Sequence, residues 1–443
     1  MFTRTTAWLF CLIVCLQLMA CNTGQPAADQ AVEADDLHTW NEVLEAAIVN
    51  DFFTPPVAGR IYVYPNIAAY EVLAAEQQGF PSLVGHVHEL TAIPASEQAA
   101  HPSVAALFAF YHTARNLVYA VDTLDAYRDH FRNALRERGF DAAQVDAAET
   151  YGKTVAKHIL QWANSDNYPQ MRSMDQYQLK ETPGSWKPTP PDYLEAMEPH
   201  WPKLRAFTLD SAAQFRPAPP TAYDMDTTSV FYAELLEVYG TLKNNSPETE
   251  AIAKFWDCNP LVRKHQGHVT YAEKKLTPGG HWVNIARSAM QREKQPLMEA
   301  SRTYALLCVG IADAFISCWD EKYRSNYIRP VTVVHAHLDP EWHPILYTPN
   351  FPEYPSGHSV VSGSAATILT ALFGEHYAFI DSTEVPYGIA PRAFDSFYAA
   401  SEEAAISRLY GGIHFMPAIE NGKTQGRAVG THVLQSLSPK ATP

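Results

Sequence analysis

Apolar residues recur three and four positions apart through most of the chain, the spacing of one buried stripe on an α-helix. The stretches HPSVAALFAFYHTARNLVYAVDTL (101–124) and DAAQVDAAETYGKTVAKHILQWA (141–163) both follow it. Asp141 reads as the N-cap of the second. TTSVFYAELLEVYGTL (227–242) is a third amphipathic stretch. In SPETEAIAKFW (246–256), Ser246 caps and Pro247 takes the first helical position, where its missing N–H costs nothing. PLMEASRTYALLCVGIADAFISCWDEKYRSN (296–326) predicts one long helix with Leu297, Tyr304, Leu307, Ile311, Phe315 and Cys318 on one side. Period-two strands are scarce and no internal repeat is present. The proline-rich segments ETPGSWKPTPPDY (181–193) and FRPAPPTAYD (215–224) read as loops between helices. The pattern predicts an all-α protein of packed helical bundles.

Composition narrows what such a protein does. The chain has 443 residues, is 47% hydrophobic and 18% charged, and carries a formal net charge of -15. That charge argues against a nucleic-acid partner, which would need a basic face. Any anion site must be a local basic cluster within an acidic protein. The N-terminus reads as a secretion signal: Arg4, then the apolar run AWLFCLIVCLQLMA. The run ends in Leu18-Met19-Ala20-Cys21, which looks like a bacterial lipobox, with Cys21 lipidated and the mature protein held at the cell envelope. The expected organisation is a lipoprotein signal peptide over 1–20, a flexible tether over 21–36, an N-terminal helical region over 37–240, and a catalytic bundle with an oxyanion site over 241–443. No other segment reads as a membrane span; YALLCVGIADAFISCW comes closest but is interrupted by Asp313. The sequence sets no oligomeric state.

Beyond the lipobox, only Cys258, Cys308 and Cys318 remain, too few for a disulfide framework. No Cys-x-x-Cys or His-Glu-x-x-His spacing occurs, so no zinc site is expected.

Three basic stretches lie in the last third. In KYRSNYIRP, Lys322 and Arg329 are seven residues apart and would share a face if the helix ran on to Pro330, which disturbs it there. In FPEYPSGHSVVSGSAATILTALFG (351–374), a helix opens on Ser356, Gly357 and His358. The first N–H groups of a helix lack intrahelical partners and favour an anion. The serine adds a hydroxyl, the glycine allows close approach, and the histidine handles a proton near neutral pH. In ISRLYGGIHF, Arg408 precedes a Gly411-Gly412 break and His414 follows it, with Ser401, Glu402 and Glu403 fitting the start of the helix. Two arginines, a lysine, a serine, helix N–H groups and two histidines are what a tetrahedral or trigonal-bipyramidal oxyanion requires.

Lysine, six residues, Arg-Pro; then Pro-Ser-Gly-His; then Ser-Arg, five residues, His: this ordered triple resembles the superfamily of type 2 phosphatidic acid phosphatases and vanadium-dependent haloperoxidases. The segments SAAQFRPAPPTAYD, DAFISCWDEKY and DPEWHPILYTPNFPEYPSGHS resemble its soluble bacterial haloperoxidase-like branch, over roughly residues 200 to 435. The resemblance implies that Lys322, Arg329, Arg408, Ser356 and Gly357 hold the oxygens of vanadate or phosphate. It makes His414 the axial metal ligand or nucleophile and His358 the acid–base group, and it places Trp319 and Phe351 at a candidate halide pocket. One departure stands out: the family pattern has an aspartate four residues after the axial histidine, and this chain has Ala418. Glu420 or a backbone carbonyl are the candidates to orient His414 instead. Three functions compete. One is a haloperoxidase using vanadate, hydrogen peroxide and halide; another is an acid phosphatase acting on phosphate esters through a phosphohistidine. The third, an envelope lipoprotein that binds glycans or partners without catalysis, leaves the triple unexplained.

Overall fold

The computed structural model describes residues 31–437 apart from 98, 261, 267 and 273. The signal peptide, Cys21 and most of the expected tether lie outside the described residues. The described chain is all-α, with fourteen α-helices and two short antiparallel ribbons.

The first helix, α1 (Ala34–Asn50), begins inside the segment expected as tether. It is followed by α2 (Pro55–Ala74), α3 (Pro102–Arg115), α4 (Val121–Glu137), α5 (Ala142–Asn164) and the single turn α6 (Tyr168–Met171). The periodic stretch 101–124 is broken between α3 and α4, where residues 116–120 turn the chain and Tyr119 and Ala120 donate their N–H groups to Asp51. Asp141 caps α5 as expected, in a reciprocal box with Gln144. Residues 172–229 contain no α-helix, the proline-rich loops among them, yet bury Trp186, Trp201 and Phe207. Then come α7 (Val230–Lys243), α8 (Pro247–Phe255) capped by Ser246, and a ribbon of β1 (Arg263–Gln266) and β2 (Val269–Ala272). The remainder is α9 (Pro278–Arg292), α10 (Leu297–Ser325), α11 (Pro330–His337), α12 (Gly357–Phe373), a ribbon of β3 (Phe379–Asp381) and β4 (Arg392–Phe394), α13 (Phe397–Tyr410) and α14 (Met416–Leu437).

Helix α10 is the axis of the molecule. Its 29 residues span about 43 Å, and it packs against α1, α2, α9, α12 and α14. By length and composition it could cross a membrane, yet 94% of its most apolar window is buried within the protein, which is the behaviour of a core helix. Asp313, the polar interruption, is fully buried and accepts from the Phe207 and Thr208 N–H groups at 2.8 Å and from the Thr208 hydroxyl at 2.6 Å. It therefore pins the irregular segment 204–209 to the axis. One apolar core runs from Leu37 through Val433, uniting the early helices with the late ones.

Helix α10 ends four residues before Arg329, because Asn326 takes the left-handed conformation at its C-cap. Lys322 and Arg329 therefore do not share a helix face; Arg329 is the N-cap residue of α11. Helix α13 also begins earlier than its acidic cluster suggested. Ser396, not Ser401, accepts the N–H of Ala399 and caps it, while Glu402 pairs with Lys423 at 2.7 Å.

Helices α12 and α14 pack closely through small residues, and this contact brings the N-terminus of α12 against the turn that enters α14. A Cβ at Gly430 would lie 2.6 Å from the Ser364 carbonyl. Gly430→Ala is therefore expected to overpack the contact and destabilise the protein by about 1–3 kcal/mol. Gly240→Ala on α7, with nothing within 4 Å of the added carbon, should be neutral or stabilising by up to about 1 kcal/mol. Denaturation midpoints compare the two, and equal shifts would remove the packing argument.

Candidate active site

Helix ends bring the three basic stretches together. Lys322 lies in the last turn of α10, Arg329 before α11, Ser356 before α12, Arg408 in the last turn of α13, and His414 in the turn before α14. All five are buried. A cavity of about 40 Å³ is lined by Trp319, Phe351, Gly357, His358, Arg408 and His414, with Met197, Cys258 and Phe315. One ordered water needs about 10–15 Å³ on the same measure, so the space suits a small polyatomic ion. Lys322, Arg329 and Ser356 stand directly behind this wall: the Lys322 Nζ is 4.7 Å and the Arg329 Cζ 5.0 Å from the centre of the Phe351 ring.

The cations are held by neutral acceptors. Lys322 Nζ donates to the carbonyls of Pro352 at 3.0 Å, Glu353 at 3.1 Å and Pro355 at 2.5 Å. Arg329 Nε donates to the Phe351 carbonyl at 3.0 Å and Nη1 to that of Ile413 at 2.8 Å. Arg408 Nη2 donates to the Trp256 carbonyl at 2.6 Å. Burial pushes Lys322 down to about 7 and Arg329 down to about 10, and it lowers Arg408.

His414 shows its own tautomer. Arg329 Nη1 lies 3.2 Å from His414 Nε2, and a guanidinium has only donors. Nε2 must then carry the lone pair and Nδ1 the proton. Nδ1 faces a carboxylate oxygen of Glu353 at 2.8 Å, which also accepts the Phe415 N–H at 3.0 Å. Burial first, then Arg329, Lys322, Arg408 and His358, hold His414 well below the ordinary histidine value, so it stays neutral. His414 thus carries a metal-binding or nucleophilic lone pair, held by Arg329 Nη1 until a ligand takes it, with a carboxylate behind the ring.

Glu353 does what Ala418 cannot. Neither expected substitute fills the role: Glu420 is exposed and paired with Lys423 at 2.8 Å, and the Ala418 carbonyl accepts the Ser356 N–H at 3.0 Å. Glu353 arrives from the loop before α12, 61 residues from His414. Its position inside FPEYPSGHS, three residues before Ser356, was the available signal. Burial raises Glu353 to about 7, against the pull of Arg329 and Lys322.

Ser356 caps α12 by accepting the Ser359 N–H at 3.3 Å, which leaves its hydroxyl proton free to donate elsewhere. A Cβ at Gly357 would come within 3.6 Å of Trp319 and 3.9 Å of the Lys322 Cε, space that the glycine leaves to a ligand. Arg329 Nη2 and His358 Nε2 are buried and have no hydrogen-bond partner among the described residues. Burial, then Arg408 and His281, lower His358 well below its ordinary value. Surplus positive charge, two nitrogens without partners among the described residues and an imidazole lone pair around one small cavity fit a small oxyanion. Trp319 and Phe351, with ring centres 5.0 Å apart, form the apolar side of the same cavity.

Known proteins resemble the chain as a whole. The family model described as "VCPO second helical-bundle domain" matches residues 302–441. Among solved structures, one described as the first bacterial vanadium-dependent iodoperoxidase is 44% identical, covering 92% of this chain and 97% of that one, with a TM-score of 0.87. A holo-type bacterial vanadium-dependent chloroperoxidase is 17% identical over 92% of this chain and 98% of that one, with a TM-score of 0.70. The apo-type structure of a bacterial vanadium-dependent chloroperoxidase is 19% identical over 87% and 95%, with a TM-score of 0.66. These last two share the fold. No curated protein sequence matches the chain.

The depressed lysine makes anion binding depend on pH in a definite direction. Above about 7 Lys322 loses its proton when the cradle holds no anion; an anion favours the ammonium form, so binding draws a proton in. Glu353 contributes with the same sign, because an anion beside it favours the neutral acid. Affinity for molybdate, which does not itself titrate in this range, should fall as pH rises from 7 to 9, by up to about tenfold per unit for each proton taken up. Calorimetry at pH 8 in two buffers of different ionisation enthalpy should register the proton uptake. An affinity independent of pH, with no proton exchanged, would contradict the charge assignment.

Proposed function

The chain belongs to the vanadium-dependent haloperoxidase family, and on that premise we propose that it oxidises iodide with hydrogen peroxide at a vanadate held by His414. The protein is a peroxidase of that family and its cofactor is vanadate. Bound vanadate supplies a Lewis acid that activates peroxide toward halide without changing oxidation state. The observation that carries the residue assignment is the His414 lone pair, fixed by Glu353, beside two buried nitrogens without partners.

Under this reading each residue has a distinct task. His414 Nε2 would ligate the vanadate, and Glu353 would keep the proton on Nδ1. Arg329 would donate its Nη2, which has no partner among the described residues, to the bound oxyanion. Ser356 would donate its hydroxyl and Gly357 its N–H to the same anion. Arg408 and Lys322 offset the charge, Lys322 without a spare N–H, since all three are taken by carbonyls. His358, held neutral by burial and with no partner for Nε2 among the described residues, would take and return a proton at the bound oxyanion. Trp319 and Phe351 exclude water and face the halide. Iodide is the most polarisable and most easily oxidised of the common halides, and the 44%-identical protein is an iodoperoxidase. The phosphatase alternative would use His414 as nucleophile, and nothing beyond the shared oxyanion cradle favours it.

We further propose that the protein is tethered to the bacterial cell envelope through lipid on Cys21, the reading that the Leu-Met-Ala-Cys run supports. Mass spectrometry of the mature N-terminus should find an acylated cysteine; a free N-terminus at another residue would end this proposal.

The catalytic assignment predicts that two histidine variants differ in kind. His414→Ala should lose bound vanadium, measured by elemental analysis. His358→Ala should retain vanadium and lose about 10²–10⁴-fold in iodide oxidation. Phosphomonoester hydrolysis, assayed on the same samples, should stay at background. Full vanadium in His414→Ala with loss in His358→Ala would reverse the roles, and phosphate release by the wild type would replace the function.

A further inference from the structure

Next to the anion cavity, and sharing Cys258 as part of its wall, is a second cluster that oxyanion chemistry does not use. Cys258 follows α8, His281 sits in the first turns of α9, and Glu384 precedes the short 3-10 turn Val385–Tyr387. All three are buried. The Cys258 Sγ lies 3.3 Å from His281 Nδ1. The same Nδ1 lies 3.3 Å from a Glu384 carboxylate oxygen, and that oxygen lies 3.9 Å from Sγ.

We propose that Cys258, His281 and Glu384 bind a zinc ion, with Asp381 orienting the histidine. The spacing is the first argument. Zinc bonds of about 2.3 Å to sulfur and about 2.0–2.2 Å to nitrogen or oxygen, at tetrahedral angles, put neighbouring ligand atoms about 3.3–3.6 Å apart. The three observed separations bracket that range closely, one donor atom per residue. The second argument is what lies behind the imidazole. His281 Nε2 is 2.7 Å from Asp381, and the Asp381 carboxylate accepts the hydroxyl of Thr383 at 2.6 Å and its N–H at 3.0 Å. A carboxylate placed so takes the Nε2 proton and leaves the Nδ1 lone pair aimed at the sulfur and the Glu384 oxygen. The Trp256 ring, stacked on the imidazole at 4.6 Å, fixes its plane. The third argument is charge: two carboxylates and a thiol that can ionise face one imidazole, an arrangement that a divalent cation offsets. Glu384 also borders a surface cavity of about 650 Å³ lined by Lys275, Tyr387 and Arg392, which provides a route from solvent.

On binding, the Cys258 thiol gives its proton to solvent as the zinc–sulfur bond forms, and no oxidation state changes. The expectation of no zinc site came from sequence spacing alone. These ligands stand 23 and 126 residues from Cys258 and belong to no motif. The rival arrangement is a doubly protonated His281 bridging Asp381 and Glu384 without metal.

The test uses the full chain, expressed with zinc in the medium, purified without chelator and desalted. About one zinc per chain is expected by elemental analysis, with one sulfur neighbour at about 2.3 Å in X-ray absorption at the zinc edge. Cys258→Ser and Glu384→Gln should each lower the zinc affinity at least tenfold, while Cys308→Ser, a buried thiol elsewhere on α10, retains zinc. A folded wild-type chain that keeps no zinc after equimolar addition overturns the proposal even if the variants fail to fold. So does zinc retained equally in both ligand variants. Vanadium is quantified in the same samples, so loss of one assignment is visible separately from the other.

Discussion

Three cations buried around one small cavity repel one another, and the surroundings must hold them without cancelling them. The structure meets that constraint with backbone carbonyls. Lys322 donates to three, and Arg329 and Arg408 to two each. A carbonyl satisfies an N–H group but brings no full negative charge, so the positive potential survives for an anion to use. Asp257 influences Arg408 from one side. Glu353, the one carboxylate among these groups that touches a proposed catalytic residue, faces His414, and burial raises it toward neutrality rather than leaving it a full counter-charge. The helix ends are arranged to serve this chamber: five of them, the ends of α10 and α13 and the starts of α11, α12 and α14, carry its charged and proton-handling side chains.

The helices were legible because apolar spacing states the period and Asp141 and Ser246 mark their own caps. Boundaries were less so. Nothing in the spacing of 101–124 shows that Asp51 will capture two backbone N–H groups and break the helix between α3 and α4. The cap of α13 at Ser396 lost to a more conspicuous acidic cluster at Ser401 because both fit local rules, and only tertiary packing chooses between them. For the site, the motifs named every residue of the cradle, but not Glu353. A carboxylate that acts across 61 residues has no periodic signature. It becomes visible only when the loop before α12 folds back on the turn before α14. Asp381 and Glu384 were hidden from the reading of Cys258 for the same reason.

The exchange at Ala418 shows how one task can move between elements. In the family pattern the orienting carboxylate lies four residues after the axial histidine. Here that position contributes only its carbonyl, which accepts the Ser356 N–H. The carboxylate comes instead from Glu353 in the loop before α12. The imidazole meets the same partner chemistry from a different direction, and the residue that would have filled the space shrinks to a methyl group that is itself fully buried.

The carbonyl clamp on Lys322 also determines how the empty and loaded proteins relate. The loop 351–355 is fastened to α10 and α11 by bonds that involve no anion. Its conformational entropy is lost once, when the chain folds. Under the proposed assignment, vanadate would displace only the Arg329–His414 hydrogen bond, and its affinity would not be reduced by any need to order the loop. Release and reloading become repeated visits to a fixed shape, so a protein stripped of vanadium should be a store of ready sites rather than a population awaiting refolding.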